Sequence, residues 1–165
     1  MATGLADFFT YNLWANLRLL DTCETLTDAQ LDATTPGVFG SVRETLVHLF
    51  SSEEGYSHHS HLTGPMPTPS LRAMTEFPGF AVLRQRAERS GRELRAIAEQ
   101  ANLDEIMHLD DGTYDCPLII VLLQAIQHGI DHRSQIMTLL SVQGIEHPEL
   151  DAWDYNDATF TQPSR

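Results

Sequence analysis

His128 and His132 stand four residues apart in an apolar stretch running from Pro117 to about Val142. Residues at i and i+4 lie one above the other on a helix face, so two such imidazoles can converge on one ion. His48, about eighty residues earlier in a second apolar-periodic segment, is the third candidate. Three neutral imidazoles from two helices form a divalent-metal set that leaves coordination positions open to water or substrate. The competing reading is structural, because buried histidines also serve as hydrogen-bonded core groups. Adjacent buried imidazoles without an ion need partners, however, and become costly when protonated.

Two carboxylates lie near these histidines. Glu44 falls one turn before His48 and could act on a metal-bound water or orient an imidazole, although a helix-capping role already explains it. Asp131 follows His128 by three residues and could accept from a ligand imidazole, or stand solvated. His58, His59 and His61 cluster at the expected end of the second long helix, where exposed cationic side chains suit the negative end of the dipole. His108 and His147 sit beside turn signals and read as surface residues. Cys23 and Cys116 show no ligand-type spacing and no basic surroundings that would make either a nucleophile.

Four long helices must position these groups. Leu5, Phe8, Phe9, Leu13, Leu17 and Leu20 follow three-and-four spacing and predict a helix from Leu5 to about Cys23. Thr27 to Gln30 reads as a short capping box, before Thr34, Pro36, Gly37 and Gly40 impose a turn or loop. Ser41 and Glu44 form a second capping box that starts the helix carrying His48. Six prolines and glycines between Thr63 and Gly79 predict a long connecting loop. Phe80 to Ala98 restores an apolar stripe with charged residues on the other faces. Ile106 to Leu109 and Thr113 to Cys116 flank Asp111-Gly112, which suits a tight hairpin turn. Pro117 fits a helix start and Gly144 a left-handed helix end, giving a last helix over about 117 to 143. Its inward face by spacing is Val121, Ala125, His128, His132, Gln135 or Ile136, and Leu139. The pattern predicts an all-α, antiparallel-type four-helix bundle, residues 1–165 forming one domain, in which the long loop serves as a crossover.

Composition agrees. At 165 residues, 42% hydrophobic and 20% charged, the chain has enough apolar material for its own core. A net charge of -13 repels phosphate backbones and anionic membrane surfaces, so neither nucleic acid nor membrane is an expected partner. No leader-like segment and no membrane-spanning run is visible, and two cysteines give no disulfide framework; the expected location is the cytoplasm.

Tyr11-Asn12-Leu13-Trp14-Ala15-Asn16, the segment Ser41 through His48, and His128-Gly129-Ile130-Asp131-His132-Arg133-Ser134-Gln135-Ile136 together resemble the DinB/YfiT-like superfamily, in the same order and separation. Pro148, Asp151 and Tyr155 extend the likeness past Gly144. The resemblance implies a four-helix bundle whose metal ligands are His48, His128 and His132, holding nickel or zinc, often as a homodimer. Its characterised members include S-transferases and isomerases that use low-molecular-weight thiols, and others are described as hydrolases. The expected function is therefore a thiol-dependent S-transferase on a small-molecule substrate. The alternatives are a hydrolase using a metal-bound water and a non-catalytic, stress-related metal- or ligand-binding protein. The family's name records expression after DNA damage and implies no contact with DNA. The segment with Trp153 and Tyr155, like the Pro-rich loop, is expected to help wall the pocket.

Overall fold

The structure is a computed structural model that describes residues 4–59 and 62–160. Helix α1 (Gly4–Cys23) buries Ala6, Phe9, Asn12, Ala15, Asn16, Leu19 and Leu20 along one stripe. At Thr27 the expected capping box is present and a single helical turn, α2 (Asp28–Leu31), grows from it where only a turn was expected. Helix α3 (Val42–Tyr56) starts at Ser41 as predicted: Glu44 N donates to Ser41 Oγ at 3.2 Å, and Ser41 N donates to Glu44 Oε2 at 2.8 Å. Helix α4 (Phe80–Gln100) follows Gly79, whose φ of +85° only glycine adopts freely. Its outer face carries the ion pairs Arg89–Glu93 and Arg95–Glu99.

Strands β1 (Ile106–Leu109) and β2 (Tyr114–Pro117) pair in antiparallel register, Leu109 opposite Tyr114. The turn between them is longer than Asp111-Gly112 alone. Asp110, Asp111 and Gly112 all take positive φ, at 49°, 55° and 81°, and Thr113 N closes the turn on Asp110 O at 3.1 Å. Aspartate tolerates that region better than most residues, which is why the turn spreads backward onto Asp110. Pro117 ends β2 and caps α5 (Leu118–Val142), whose exit lies at Gly144 with φ +70°. A further helix, α6 (Ala152–Thr159), starts where Asp151 accepts from Trp153 N and Asp154 N; its pattern is too short to stand out by periodicity.

Contacts fix the arrangement. Arg43 stacks over Phe77 just ahead of α4, Glu54 pairs with Arg86 and Ser57 with Glu93, so α3 and α4 run in the same direction. The connection between them must therefore return along the bundle, which makes the loop a crossover. Asp21 near the end of α1 meets Arg84 near the start of α4, so α1 opposes α4. Phe39 bonds Gln135 while His48 meets His128, so α5 opposes α3. Helix α1 packs chiefly on α4, α4 on α3, α3 on α5, and α5 back on α1.

The apolar core comes in two clusters. One gathers Leu19, Leu46, Leu49, Phe50, Leu83 and Ile136; the other gathers Phe9, Leu94, Ile97, Leu118 and Leu122. On every long helix a buried polar residue falls between them: Asn12 and Asn16 on α1, Glu53 on α3, Ser90 on α4, Arg133 on α5. The buried face of α5 thus includes Gly129 and Arg133, absent from the expected stripe, while His128 is half-buried at its margin. No helix among the described residues is long and apolar enough to cross a membrane.

Candidate metal centre

His48 faces His128 and His132 across the α3–α5 contact. The Nε2 atoms of His48 and His128 are 3.1 Å apart, and one ring nitrogen from each of the three histidines lies within 4.8 Å of the others. Two imidazole nitrogens sharing an ion at about 2.1 Å are roughly 3.0 to 3.4 Å apart for right-angle to tetrahedral geometry. The first pair already has that spacing. Phe39 stacks on the His48 ring at 4.1 Å and stands edge-on to His132 at 5.4 Å, while Tyr56 stands edge-on to His128 at 5.7 Å. The Phe39 amide donates to Gln135 Oε1 at 2.9 Å, which ties the segment before α3 to α5 and holds this aromatic wall in place.

Burial lowers the pKa of all three histidines. For His128 the drop reaches about 4, burial acting first and the neighbouring His132 and His48 adding to it. For His48, burial is followed by His132 and by Arg72; for His132, burial is partly offset by a hydrogen bond with Gln135 and by Asp131. At neutral pH the rings are therefore neutral and keep a lone pair each. His128 Nδ1 and His132 Nδ1 are buried without a hydrogen-bond partner in the structure. Most buried side-chain nitrogens of a structural core have one, whereas here the partners fall on the other ring nitrogen, as in the His128–His48 approach. With no protein acceptor at Nδ1 to fix the tautomer, either ring can present a lone pair to a cation, and the donor set fits a divalent ion.

The two carboxylates singled out by sequence are placed differently. Glu44 borders the cleft beside His48, but its Oε2 accepts from Ser41 N, and those capping bonds hold its pKa low. Asp131 is exposed and accepts from Gln127 Nε2 at 3.0 Å. Neither is seen bonded to an imidazole of the site. Cys23 and Cys116 are both buried and free, and burial pushes the Cys23 thiol up to about 12.

Of the other histidines, His59 departs from the surface reading. His59 is 3% exposed and its Nε2 lies 3.3 Å from Glu105 Oε2, so it packs under the chain leading to the hairpin rather than capping a helix in solvent. His108 does stand exposed, paired across the hairpin with Asp115 at 2.7 Å. His58 is exposed, and His61 lies outside the described residues. Tyr155 packs edge-on against Tyr11 and Trp14 of α1, and Trp153 is 80% exposed. That segment walls a different cleft, with Trp14 and Arg18, from those that border the histidines.

A polar layer next to the site escaped the sequence reading. Glu53 Oε1 accepts from Asn12 Nδ2 at 2.7 Å and Asn16 Nδ2 at 2.8 Å, and Ser90 Oγ donates to Glu53 Oε2 at 3.1 Å. Arg133 Nη1 donates to Asn12 Oδ1 at 2.6 Å and Asn16 Oδ1 at 2.7 Å. The asparagines thus bridge a buried acid and a buried base. Burial pushes the Glu53 carboxyl up, against its three donors and Arg133; burial pulls Arg133 down, against Glu53. The available signal was the i, i+4 spacing of two asparagines within an apolar stripe.

A bundle of long helices in which α3 and α5 offer three neutral ring nitrogens to one point defines a helical protein with a candidate divalent-metal centre. The chain belongs to the DinB family, whose family model matches residues 1–165. No curated protein and no solved structure matches it.

Proposed function

We propose that His48, His128 and His132 hold a divalent ion, nickel or zinc, and that the protein is a thiol-dependent S-transferase acting on a small electrophile. The observation that carries this reading is the convergence of three neutral imidazoles, two with orphaned Nδ1 atoms, beside an open cleft of about 450 Å³. A bound ion would supply Lewis acidity, lowering the pKa of a coordinated thiol so that it is presented as thiolate. The chain's own residues hold that position: Phe39 and Tyr56 wall the rings, and Gln135 fixes Phe39. Transfer is favoured over hydrolysis because a thiol brings its own nucleophile. Hydrolysis is usually assisted by a positioned base, and Glu44 and Asp131 are engaged with Ser41 and Gln127.

The same reading includes a homodimer. Ile120, Leu123 and Ile130, 43% to 50% exposed on one face of α5, offer the surface for a second copy.

The test is elemental analysis of untagged protein and of its His48→Ala, His128→Ala and His132→Ala variants. The expected result is about one ion per chain in the wild type and a loss of at least about 100-fold in affinity in each variant, beyond the roughly 10- to 100-fold that groups behind the ligands contribute. Conjugation of a model electrophile by the loaded protein, dependent on added thiol, then separates transfer from hydrolysis. Wild-type protein free of metal after incubation with nickel and zinc would sink the reading.

A further inference from the structure

Every arginine of α3 and α4 has a carboxylate partner: Arg43, Arg84, Arg86, Arg89, Arg92 and Arg95 all form ion pairs. Arg133 is buried on its asparagines. Among the described residues, Arg18 and Arg72 are the exposed arginines without an ion pair, and their surroundings differ. Arg18 shares its cleft with Glu146, Glu149 and Asp154. Arg72 instead lines the same cleft as His48.

The backbone that carries Arg72 is built into the fold. Leu71 is fully buried, and its amide donates to the buried Glu54 Oε2 at 2.8 Å. Glu54 is held in turn by Arg86 at 3.0 Å, and Arg86 and Arg89 donate to the carbonyls of Pro69 and Pro65 at 3.1 and 2.6 Å. These bonds pin the crossover to α3 and α4 at the start of the short turn Leu71–Ala73 and just before it. An exposed guanidinium is thereby fixed at its root.

Arg72 also marks a boundary. It lines the cleft of about 450 Å³ that contains His48, Phe39 and Phe77, and a second of about 490 Å³ that contains Tyr56, Ser70 and Tyr114. Volumes of this size suit small molecules. Glu44, Glu54, Glu76 and Asp110 border these clefts, but none pairs with Arg72: Glu44 is bonded to Ser41 and Glu54 to Arg86. A chain of net charge -13 repels anions at a distance, so admitting one needs a local, uncommitted cation.

We propose that Arg72 is the anion-recognition residue of the histidine site, and that the small molecule bound there carries a carboxylate that reaches Arg72 from a ligating or reacting atom beside the histidines. The proposal rests on the metal-site reading above and adds the substrate class. The planar fork of arginine matches a carboxylate through two parallel N–H···O bonds, a geometry lysine cannot reproduce.

The test measures thiol binding to nickel-loaded wild type, Arg72→Gln and Arg72→Lys by the thiolate-to-nickel charge-transfer band. The probes are mercaptosuccinate, which carries carboxylates, and the neutral 1-thioglycerol. The expected result is that Arg72→Gln weakens mercaptosuccinate at least tenfold, that Arg72→Lys falls between, and that thioglycerol changes less than twofold, with metal content unaltered. Succinate, followed by NMR shifts, separates the two sources of the carboxylate. Tighter binding of mercaptosuccinate than of thioglycerol places it on the thiol; equal thiol affinities with Arg72-dependent succinate binding place it on the electrophile. Indifference of both mercaptosuccinate and succinate to Arg72→Gln overturns the proposal. A wild type that takes up no metal sinks the metal reading instead, and succinate binding to the metal-free protein then decides Arg72 alone: loss in Arg72→Gln supports it, no change overturns it.

Discussion

Gly129→Ala is expected to destabilise the protein, the reverse of what this exchange usually does inside a helix. Alanine is better than glycine in a helix interior by about 1 kcal/mol. Here a Cβ would lie 2.8 Å from Asn12 Oδ1 and 2.9 Å from Arg133 Nη1, the two atoms that bond each other at 2.6 Å. Carbon contacts are comfortable at roughly 3.5 to 4.0 Å, so the pair must part. Asn12 is pinned by Glu53 and the guanidinium by Asn16, so neither moves freely. The bond at risk is charge-assisted and worth about 1.5 to 3 kcal/mol, which leaves a net loss of about 0.5 to 2 kcal/mol after the helix gain. Urea unfolding of the metal-free protein, followed by circular dichroism, reads this as a lower midpoint at unchanged slope. In an Asn12→Ala background the guanidinium can move into the vacated space, and most of the penalty disappears. A Gly129→Ala protein as stable as wild type, or an equal penalty in both backgrounds, would refute the close-packing argument.

Three further outcomes follow from the same structure. Glu53→Gln leaves Arg133 buried without its counter-charge and is expected to lower stability by about 3 to 5 kcal/mol, whereas the Glu53→Leu/Arg133→Leu double variant loses less than either single leucine variant; a Glu53→Gln loss below about 1 kcal/mol in urea unfolding contradicts a charge-compensated layer. The His128 pKa is about 4 in the fold against an ordinary 6.5, so the unfolded chain binds more protons between those values and metal-free stability falls as pH drops from 6.5 towards 4. The ceiling is about 3.5 kcal/mol at about 1.4 per pH unit, which solvent screening of a half-buried ring reduces to about 1 to 2. Glu53, raised in the fold, works the other way above its ordinary 4.5, so the comparison is the slope lost in His128→Gln; an unchanged slope rules His128 out as its source. Leu123→Asp is expected to turn a homodimer into a monomer in light scattering with little change in metal content, and a wild type that is monomeric at micromolar concentration removes the dimer.

What the sequence made legible was what is local. Ser41 and Glu44 announce α3 because a capping box closes within four residues, and Gly79 and Gly144 mark boundaries because their positive φ is a property of one residue. The histidine trio was legible because i, i+4 spacing brings two rings together before any tertiary contact forms. His59 was misread because its position at a helix end is local information, while its partner Glu105 lies 46 residues away. The polar layer was hidden for the same reason: Asn12 meets Glu53 across 41 residues and Arg133 across 121, and each residue type alone reads as surface.

That hidden layer bears directly on the candidate metal centre. Arg133 follows His132 and Gly129 follows His128, so the asparagine bridge holds α5 at the turns that present the rings, and Glu53 ties the same bridge to the helix of His48. Apolar clusters on either side tolerate small slides and rotations of one helix on another, because burial is non-directional. Hydrogen bonds of 2.6 to 2.8 Å on fixed donors do not. The register of α5 against α3, and with it the 3.1 Å approach of His128 to His48, is on this argument set by residues that never touch an ion. Glu53→Gln, with all three histidines intact, reads the point: metal affinity is expected to fall at least tenfold, in the range found when groups behind metal ligands are removed. Unchanged affinity in a folded Glu53→Gln protein would mean that apolar packing alone sets the register.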